Sequence, residues 1–383
     1  VAEQAPKVLI AAEQLRRRVP GGIGIYARGL LSGLAGGARD GQDIDVTLLA
    51  SRPPGRLFSV DATDPLTGFG RPVVTSSLAG PLLTRAWDHG LSRAPAGYDV
   101  VHSVSLAAPP LRRGSRGALV VTVHDMAWRR QPDATTRRGR RWHEAALHRA
   151  AARASAFVVP SRLVAADLAG LGVEPGCVTV VPGGTDHLAA PDVAATAALL
   201  RRVGISGEFL LTVGTLEPRK NVDRLVRAFE RVRGSLPGPW PLVIVGPEGW
   251  GHEPTRRPET GGIVFTGAVS DPVLAGLYQQ ARAFAYVPLT EGYGLPPLEA
   301  MRMGTPCVVA NEVPSVHDLG ATGDPPARIV DPLDLDDIAA GLDAVLTDDA
   351  VRADLAARGA DFALGRTWQA AARQHIELWR ALR

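Results

Sequence analysis

The sequence predicts an α/β protein built of parallel sheets, on three observations. Short apolar runs rich in valine, leucine and isoleucine recur along the chain and alternate with helical stretches, the order expected of βαβ units. Runs such as Glu208–Val213 pass through a glycine into a loop and then a helix start, as strands do at the carboxyl edge of an open sheet. The chain has 383 residues, 45% of them hydrophobic and 21% charged, enough for two globular domains with a sizeable core each.

In the first half, Lys7–Ala12, Asp45–Ala50, Val100–Ser103, Ala118–Val123, Phe157–Pro160 and Val178–Val181 read as strands. Gly21-Gly-Ile-Gly24 reads as a loop ahead of a helix over Ile25–Leu34. Within it, Gly22-Ile-Gly-Ile-Tyr-Ala27 fits a dinucleotide-binding fingerprint. The match is weak, because about ten residues separate it from the first strand and Ala50-Ser-Arg52 brings no acidic residue for a ribose. His124 directly follows its strand, at a carboxyl end of the kind where open α/β sheets bind ligands. His102 stands similarly in Val100–Ser103 and reads as an acceptor-side or supporting residue. Pro182–Ile205, with Pro and Gly and then a short alanine-rich helix, reads as the linker to a second domain.

Strands of that domain are Phe209–Val213, Leu242–Val245, Ile263–Phe265, Ala283–Val287, Cys307–Ala310 and Arg328–Val330, and Thr367–Leu382 is a closing helix. In Gly214-Thr-Leu-Glu-Pro-Arg-Lys-Asn221 a strand runs into a basic loop, with Asn221 as the expected cap of a helix over Val222–Val232. Arg219 and Lys220 at that turn suit a diphosphate, with solvated surface charge as the alternative. In Glu291-Gly-Tyr-Gly-Leu-Pro-Pro-Leu-Glu299 two carboxylates lie eight positions apart across a glycine loop. Pro296 and Pro297 suit a helix's first turn and Gly304 its end, which places Glu299 in that first turn. Glycines let backbone approach a diphosphate near the positive end of the helix, and the carboxylates can accept from sugar and ribose hydroxyls. An ordinary strand–loop–helix with two solvated glutamates is the alternative.

These segments, with Val123-His-Asp125, Val245-Gly-Pro247, Gly267-Ala-Val-Ser-Asp271 and Gly304-Thr-Pro306, resemble glycosyltransferase family four, the glycosyl transferases group 1, over nearly the whole chain. The resemblance implies a GT-B fold, two Rossmann-like domains facing a central crevice with the C-terminal helix returning to the first. It divides the chain into an acceptor-side domain over residues 1–186, a nucleotide-sugar donor domain over 187–365 and the returning helix over 366–383. It implies retaining, metal-independent transfer of mannose or another hexose from a GDP-, UDP-, ADP- or dTDP-sugar, with no cofactor. His124, Arg219, Lys220 and Glu291 form the implied catalytic set. His124 would position the sugar, Arg219 and Lys220 would neutralise the departing diphosphate, Glu291 would hold sugar hydroxyls and Glu299 the ribose. Donor contacts are further implied at Gly22, Gly24, Gly214, Thr215, Gly246, Val269, Gly292, Tyr293, Gly294 and Leu295. Thr215 stands where many members of the family carry arginine. Pro288-Leu-Thr290 and Asn311–Asp318 also depart from the family's pattern.

Charge is uneven behind a net +3: residues 1–190 hold 23 Lys and Arg against 15 Asp and Glu, the remainder 19 against 24. The excess concentrates at Arg16-Arg-Arg18, Arg112-Arg113, Arg129-Arg130 and Arg137–Arg141, a solvated surface or a face for an anionic acceptor or lipid. The arginines are not interleaved with aromatics, which argues against nucleic acid as a partner. Asp43-Ile-Asp45 and Asp334-Leu-Asp336 stand at element starts, where capping explains them better than a metal, and no metal is expected. Cys177 and Cys307 read as two buried packing residues, not a disulfide. No apolar run reaches the ~18 residues of a membrane span and the amino terminus lacks a signal-peptide pattern, so a cytoplasmic location is the default expectation. A sugar-nucleotide epimerase of the same fold, a non-catalytic nucleotide-sugar binding subunit and a dinucleotide oxidoreductase are the rival classes. Acceptor contacts are expected on loops such as Arg52–Ala79 and Trp128–Arg141, and the acceptor itself is left open.

Overall fold

The computed structural model describes residues 5–17, 20–37, 44–53, 64–249, 261–317 and 324–383. Arg18, Asp43, Asp318 and the 54–63 part of the Arg52–Ala79 loop, named above, lie outside them. The chain divides into two compact units, one of Val1–Met126, Arg137–His187 and Thr367–Arg383, the other of Ala127–Thr136 and Leu188–Arg366. Each is an α/β structure around one parallel sheet, in agreement with the sequence.

The strands of the first unit are β1 (Lys7–Ala11), β2 (Asp45–Ala50), β3 (Val73–Thr75), β4 (Val100–Ser103), β5 (Ala118–Thr122), β6 (Ala156–Val159) and β7 (Val178–Val180). They lie parallel in the order β3-β2-β1-β4-β5-β6-β7. The central strands are buried along nearly their whole length, as continuous apolar runs require in a sheet covered on both faces. β3 has no counterpart among the expected strands: it is a three-residue edge strand paired only with β2, too short to show a period. The helices are α1 (Gly21–Gly37), α2 (Gly80–Asp88), α3 (Ala127–Arg130, in the second unit's share), α4 (Arg137–Ala151) and α5 (Arg162–Ala169).

α1 corrects one expectation. Gly21–Gly24 is its first turn, not a loop before it, and the helix continues to Gly37. Two later glycines of α1 explain its partner. A β-carbon on Gly29 would stand 2.0 Å from the Trp368 ring, and one on Gly33 would stand 2.2 Å from the Trp368 carbonyl oxygen. The missing side chains let the last helix, α13 (Trp368–Ala381), lie directly on α1. Its start is held by Asp186 Oδ1, which accepts from Trp368 N at 2.7 Å, and by the Thr367 side chain, which caps Ala370 N. Trp368, Ile376 and Trp379 enter one apolar cluster with Leu30, Leu34, Leu48 and Val120. The C-terminal helix thus returns to the first unit, as expected.

The second unit's strands are β8 (Leu210–Val213), β9 (Leu242–Val245), β10 (Ile263–Gly267), β11 (Ala283–Tyr286), β12 (Cys307–Ala310) and β13 (Arg328–Val330). All are parallel, in the order β10-β9-β8-β11-β12-β13. Around them run α6 (Val193–Arg202), α7 (Val222–Val232), α8 (Asp271–Gln280), α9 (Leu295–Arg302), α10 (Pro314–His317), α11 (Leu335–Thr347) and α12 (Asp349–Leu364). Strand order reverses between β8 and β11, so the chain leaves these neighbours toward opposite sides of the sheet. A crevice opens at such a switch point, beyond the carboxyl ends of the two strands.

Burial settles the remaining sequence readings. Arg16 is not surface charge: it pairs with Asp64, both side chains 1% exposed, and also donates to the Ser51 carbonyl. Arg112, Arg113, Arg129, Arg130, Arg137, Arg138 and Arg141 are exposed. Cys307 is buried but Cys177, ahead of an edge strand, is exposed. Asp334 caps α11 by accepting from Asp336 N and Asp337 N. Among the described residues no helix is long and apolar enough to cross a membrane.

Candidate functional site at the β8–β11 switch point

The loops after β8 and β11 are tied to each other by backbone. Leu289 N donates to Arg219 O at 2.9 Å, and Arg219 Nη1 donates to Thr290 O at 3.1 Å. Pro218–Lys220 forms a single 3-10 turn that ends at Asn221, the one described non-glycine residue with positive φ, at 58°. Asn221 was expected to cap α7 with its side chain, but it does not. Its amide donates instead to Val287 O (2.9 Å) and Pro332 O (2.8 Å). The asparagine is therefore a clamp between the basic loop and the end of β11, and its left-handed backbone directs the turn into α7.

That clamp brings Arg219, Lys220 and Glu291 together. Glu291 Oε1 forms an ion pair with Arg219 Nη1 at 2.8 Å and accepts from Lys220 Nζ and from Tyr286 Oη, the latter at 2.8 Å. Lys220 Nζ also donates to Tyr286 Oη at 2.7 Å. Arg219 Nη2 meets Glu217 Oε1 at 2.6 Å. Burial alone would push the Glu291 carboxyl up, but the charges of Arg219 and Lys220 and the hydrogen bonds from Lys220 and Tyr286 outweigh it and hold the pKa at about 2. Burial and then the Glu291 charge push the Tyr286 phenol well above its ordinary value. Glu291 is thus a carboxylate, acceptor-only, with one oxygen saturated.

A pH prediction follows with a definite sign. The folded pKa lies below the ordinary carboxylate value of about 4.3, so the stability Glu291 contributes is present above that pH and lost as pH falls toward 2. Melting temperature should therefore fall less steeply between pH 4.5 and 2 in Glu291→Gln than in the parent, on the order of 3 kcal/mol being at stake. Parallel curves in a thermal scan would count against the buried ion cluster.

Glycines shape the floor. Gly214 N donates to Val245 O and Gly246 N to Gly267 O, so the carboxyl ends of β8, β9 and β10 meet glycine against glycine. Thr215 follows Gly214, and Val269 lies half-buried between β10 and α8. Gly292, Tyr293 and Gly294 lead to α9, which begins at Leu295 with Pro296 in its first turn. Ser315 fixes this entrance, its N donating to Tyr293 O (2.9 Å) and its Oγ to Gly294 O (2.7 Å). Glu299 was expected in the first turn of α9. With the helix starting at Leu295 it falls in the second, 3% exposed, its Oε2 accepting from Tyr278 Oη at 2.9 Å. Tyr286, Tyr278 and Glu217 are site residues that sequence reading missed. The only signal for Tyr286 was a hydroxyl-bearing ring at the end of an otherwise apolar strand.

Gly22, Gly24 and His124 belong to the first unit. Gly22 and Gly24 lie in the first turn of α1, where a β-carbon on Gly24 would strike Pro20. His124 follows β5, half-buried, with the Tyr26 ring edge-on at 4.7 Å. Its Nε2–H donates to Val104 O at 2.7 Å; since a carbonyl only accepts, Nδ1 is the ring's acceptor nitrogen. Burial lowers its pKa, against the Val104 hydrogen bond and the Asp125 charge. His102, expected on the acceptor side, is fully buried instead. It contacts Thr122 Oγ1 at 2.9 Å, stacks on His375 and meets Trp379 edge-on. Tyr26 Oη reaches both His375 Nε2 (2.7 Å) and Thr122 Oγ1, so these polar groups fasten α13 to α1 and the sheet.

Two family models match successive parts of the chain: Glycosyltransferase Family 4 over residues 20–187 and Glycosyl transferases group 1 over residues 204–362. O-antigen chain mannosyltransferase B of Escherichia coli is 34% identical over 179 residues, 45% of this chain and 46% of that protein. A D-inositol 3-phosphate glycosyltransferase of Kineococcus radiotolerans is 32% identical over 234 residues, 55% of this chain and 53% of that protein. The chain thus matches about half the length of these relatives, and 19% of the serotype-specific mannosyltransferase WbdA of Escherichia coli. Sucrose-phosphate synthase of Thermosynechococcus elongatus superposes with a TM-score of 0.72 at 20% identity, covering 99% of both chains. HepE of Anabaena, in complex with UDP and glucose, gives 0.68 at 18% identity, covering 98% of this chain and 100% of that one. The fold is that of GT-B glycosyltransferases. With both halves matched in order and the basic loop and carboxylate segment converging at one switch point, the chain belongs to the family-4, group-1 glycosyltransferases.

Proposed function

We propose that the chain transfers a hexosyl group, mannose or another hexose, from a nucleoside diphosphate donor to a hydroxyl of a glycan, lipid-linked or small-molecule acceptor. Retention of anomeric configuration and independence from metal are part of the reading. The observation that carries it is the convergence of Lys220, Arg219 and Glu291 beyond the carboxyl ends of β8 and β11, next to the glycine entrance of α9. In this reading Lys220 meets the departing diphosphate together with the amino-terminal end of α9. Arg219, held by Glu217 and Glu291, sets the carboxylate and adds charge. Glu291 accepts from sugar hydroxyls and Glu299 serves the ribose. His124 contacts the donor sugar, a role that rests on the family resemblance. The mannosyltransferase relatives and the UDP and glucose bound to HepE support the choice of donor class. Contact of the exposed Arg137, Arg138 and Arg141 with an anionic lipid surface belongs to the same reading, and co-sedimentation with anionic vesicles tests it.

The deciding experiment offers GDP-mannose, UDP-glucose, ADP-glucose and dTDP-glucose to the purified chain with a chelator present and without acceptor. Thermal shift should single out one nucleotide, since ligand at 100 times its Kd stabilises by about 2.7 kcal/mol. Slow hydrolysis should release the free sugar first as the anomer of the donor, read by proton NMR. Release of the opposite anomer overturns retention, an isomerised nucleotide sugar indicates an epimerase, and binding without turnover indicates a binding subunit.

A further inference from the structure

We propose that Tyr286 is a positioning residue of this site, the fixed post against which Lys220 and Glu291 are aligned; the proposal rests on the glycosyltransferase reading. The direction of each hydrogen bond follows from chemistry. An ammonium only donates and an ionised carboxylate only accepts, so Tyr286 Oη accepts from Lys220 Nζ (2.7 Å) and donates to Glu291 Oε1 (2.8 Å). Lys220 Nζ closes the triangle on the same Oε1. Among the described residues the contacts of Glu291 fall on Oε1, and none falls on Oε2. The triangle therefore turns one oxygen of the carboxylate inward and presents the other to a ligand.

The phenol can do this because its ring is buried at the end of a central strand. Tyr286 is the last residue of β11, in register with Val309 of β12. It is 3% exposed, lies near-parallel to Phe284 at 6.1 Å, and its Cε1 stands 3.8 Å from where a β-carbon on Gly294 would be. Lys220 reaches it on a stem of four rotatable bonds, and Glu291 hangs from a loop. Without the hydroxyl the lysine and the carboxylate still attract each other and Arg219 still pairs with Glu291, but Lys220 loses the one acceptor that a buried ring holds for it. The phenol reaches the donor only through its two partners, so its removal should cost rate more than nucleotide affinity.

The test is Tyr286→Phe, which keeps the ring and deletes the hydroxyl, in the full chain. Its ligand-free crystal structure should show Lys220 Nζ or the Glu291 carboxylate displaced by about 1 Å or turned, and turnover of the preferred donor among the four sugar nucleotides above should fall by about ten- to a hundredfold. Affinity for the matching nucleoside diphosphate should stay within about threefold, and Tyr286→Phe should add little to the defect of Glu291→Gln, since both remove one alignment. Unchanged positions of Lys220 and Glu291 in the crystal, turnover within twofold of the parent, or fully multiplicative defects would overturn the proposal. A parent chain inactive on every donor would instead sink the glycosyltransferase reading, and the Tyr286→Phe crystal structure would still decide the role of the phenol.

Discussion

Replacing Lys220 with alanine should lower turnover of the preferred nucleotide sugar by about 10²–10³-fold, the loss seen when a donor aimed at developing negative charge is removed. An ammonium has three hydrogens; Tyr286 Oη and Glu291 Oε1 take two, which leaves one for a phosphate oxygen. Charge grows on the diphosphate as the glycosidic bond breaks, so the missing contact should appear in kcat more than in KM. The fold should survive. Glu291 keeps Arg219 and Tyr286 as partners on the same oxygen, so its buried carboxylate is not orphaned, and the stability loss should stay near 1–2 kcal/mol. Lys220→Arg should not restore the rate, because a planar fork on a longer stem cannot occupy the corner between a phenol and a carboxylate. Steady-state nucleoside diphosphate release, read beside a thermal melt, checks both halves. Turnover within threefold of the parent would remove Lys220 from the chemistry, whereas a collapse of the melting transition would make the mutant uninformative about catalysis and place the lysine in the structural frame.

Periodicity and punctuation made most of the fold legible. β2, β4, β9, β12 and β13 run where their apolar stretches run, because strands of a parallel sheet covered on both faces read as near-continuous apolar runs. α7 likewise starts after Asn221 and ends at Val232, as its apolar face indicates. The site was legible as two segments but not as a mechanism of assembly. Arg219, Lys220 and Glu291 were each identifiable from local sequence, yet what joins them is a long-range clamp. The Asn221 amide spans to Val287 and Pro332, 66 and 111 residues away in sequence, and no local rule for helix caps reports such a partner. Tyr286 was hidden for the same reason: inside an apolar strand a tyrosine reads as packing until the strand's end is seen to adjoin a lysine 66 residues earlier. His102 and Arg16 failed in the other direction. His102 stands near the end of β4, where function is expected, and Arg16 lies in a basic cluster read as solvated surface or an anion-binding face, but the return of α13 seals the first and Asp64 neutralises the second. Position along a strand says where a residue stands, and only tertiary contacts say whether water or ligand can reach it.

Gly246→Ala should be among the most damaging single-atom additions in the second unit, on the order of 3 kcal/mol, or roughly 6–12 °C in melting temperature. Gly246 has φ +150°, and its β-carbon would stand 1.9 Å from the Gly214 carbonyl oxygen and 2.6 Å from the Gly214 carbonyl carbon. These are backbone atoms at the ends of two paired strands, and they cannot swing aside as a side chain can. Gly214 N is bonded to Val245 O and Gly246 N to Gly267 O, so relief requires breaking the ladder where β8, β9 and β10 end. The consequence should extend to the site, because Gly214 opens the loop that carries Arg219 and Lys220. A mutant that remains folded at low temperature should therefore bind nucleoside diphosphate more weakly than the parent, although Gly246 has no side chain to offer a ligand. Gly204→Ala, at a positive φ but with nothing within 4 Å of the added atom, should cost about 1 kcal/mol and leave nucleotide binding unchanged. If the two substitutions had equal effects on the melt and on nucleotide affinity, the contact with Gly214 would not be what demands glycine. If only Gly246→Ala loses both, the glycine is part of the site through the backbone it lets approach.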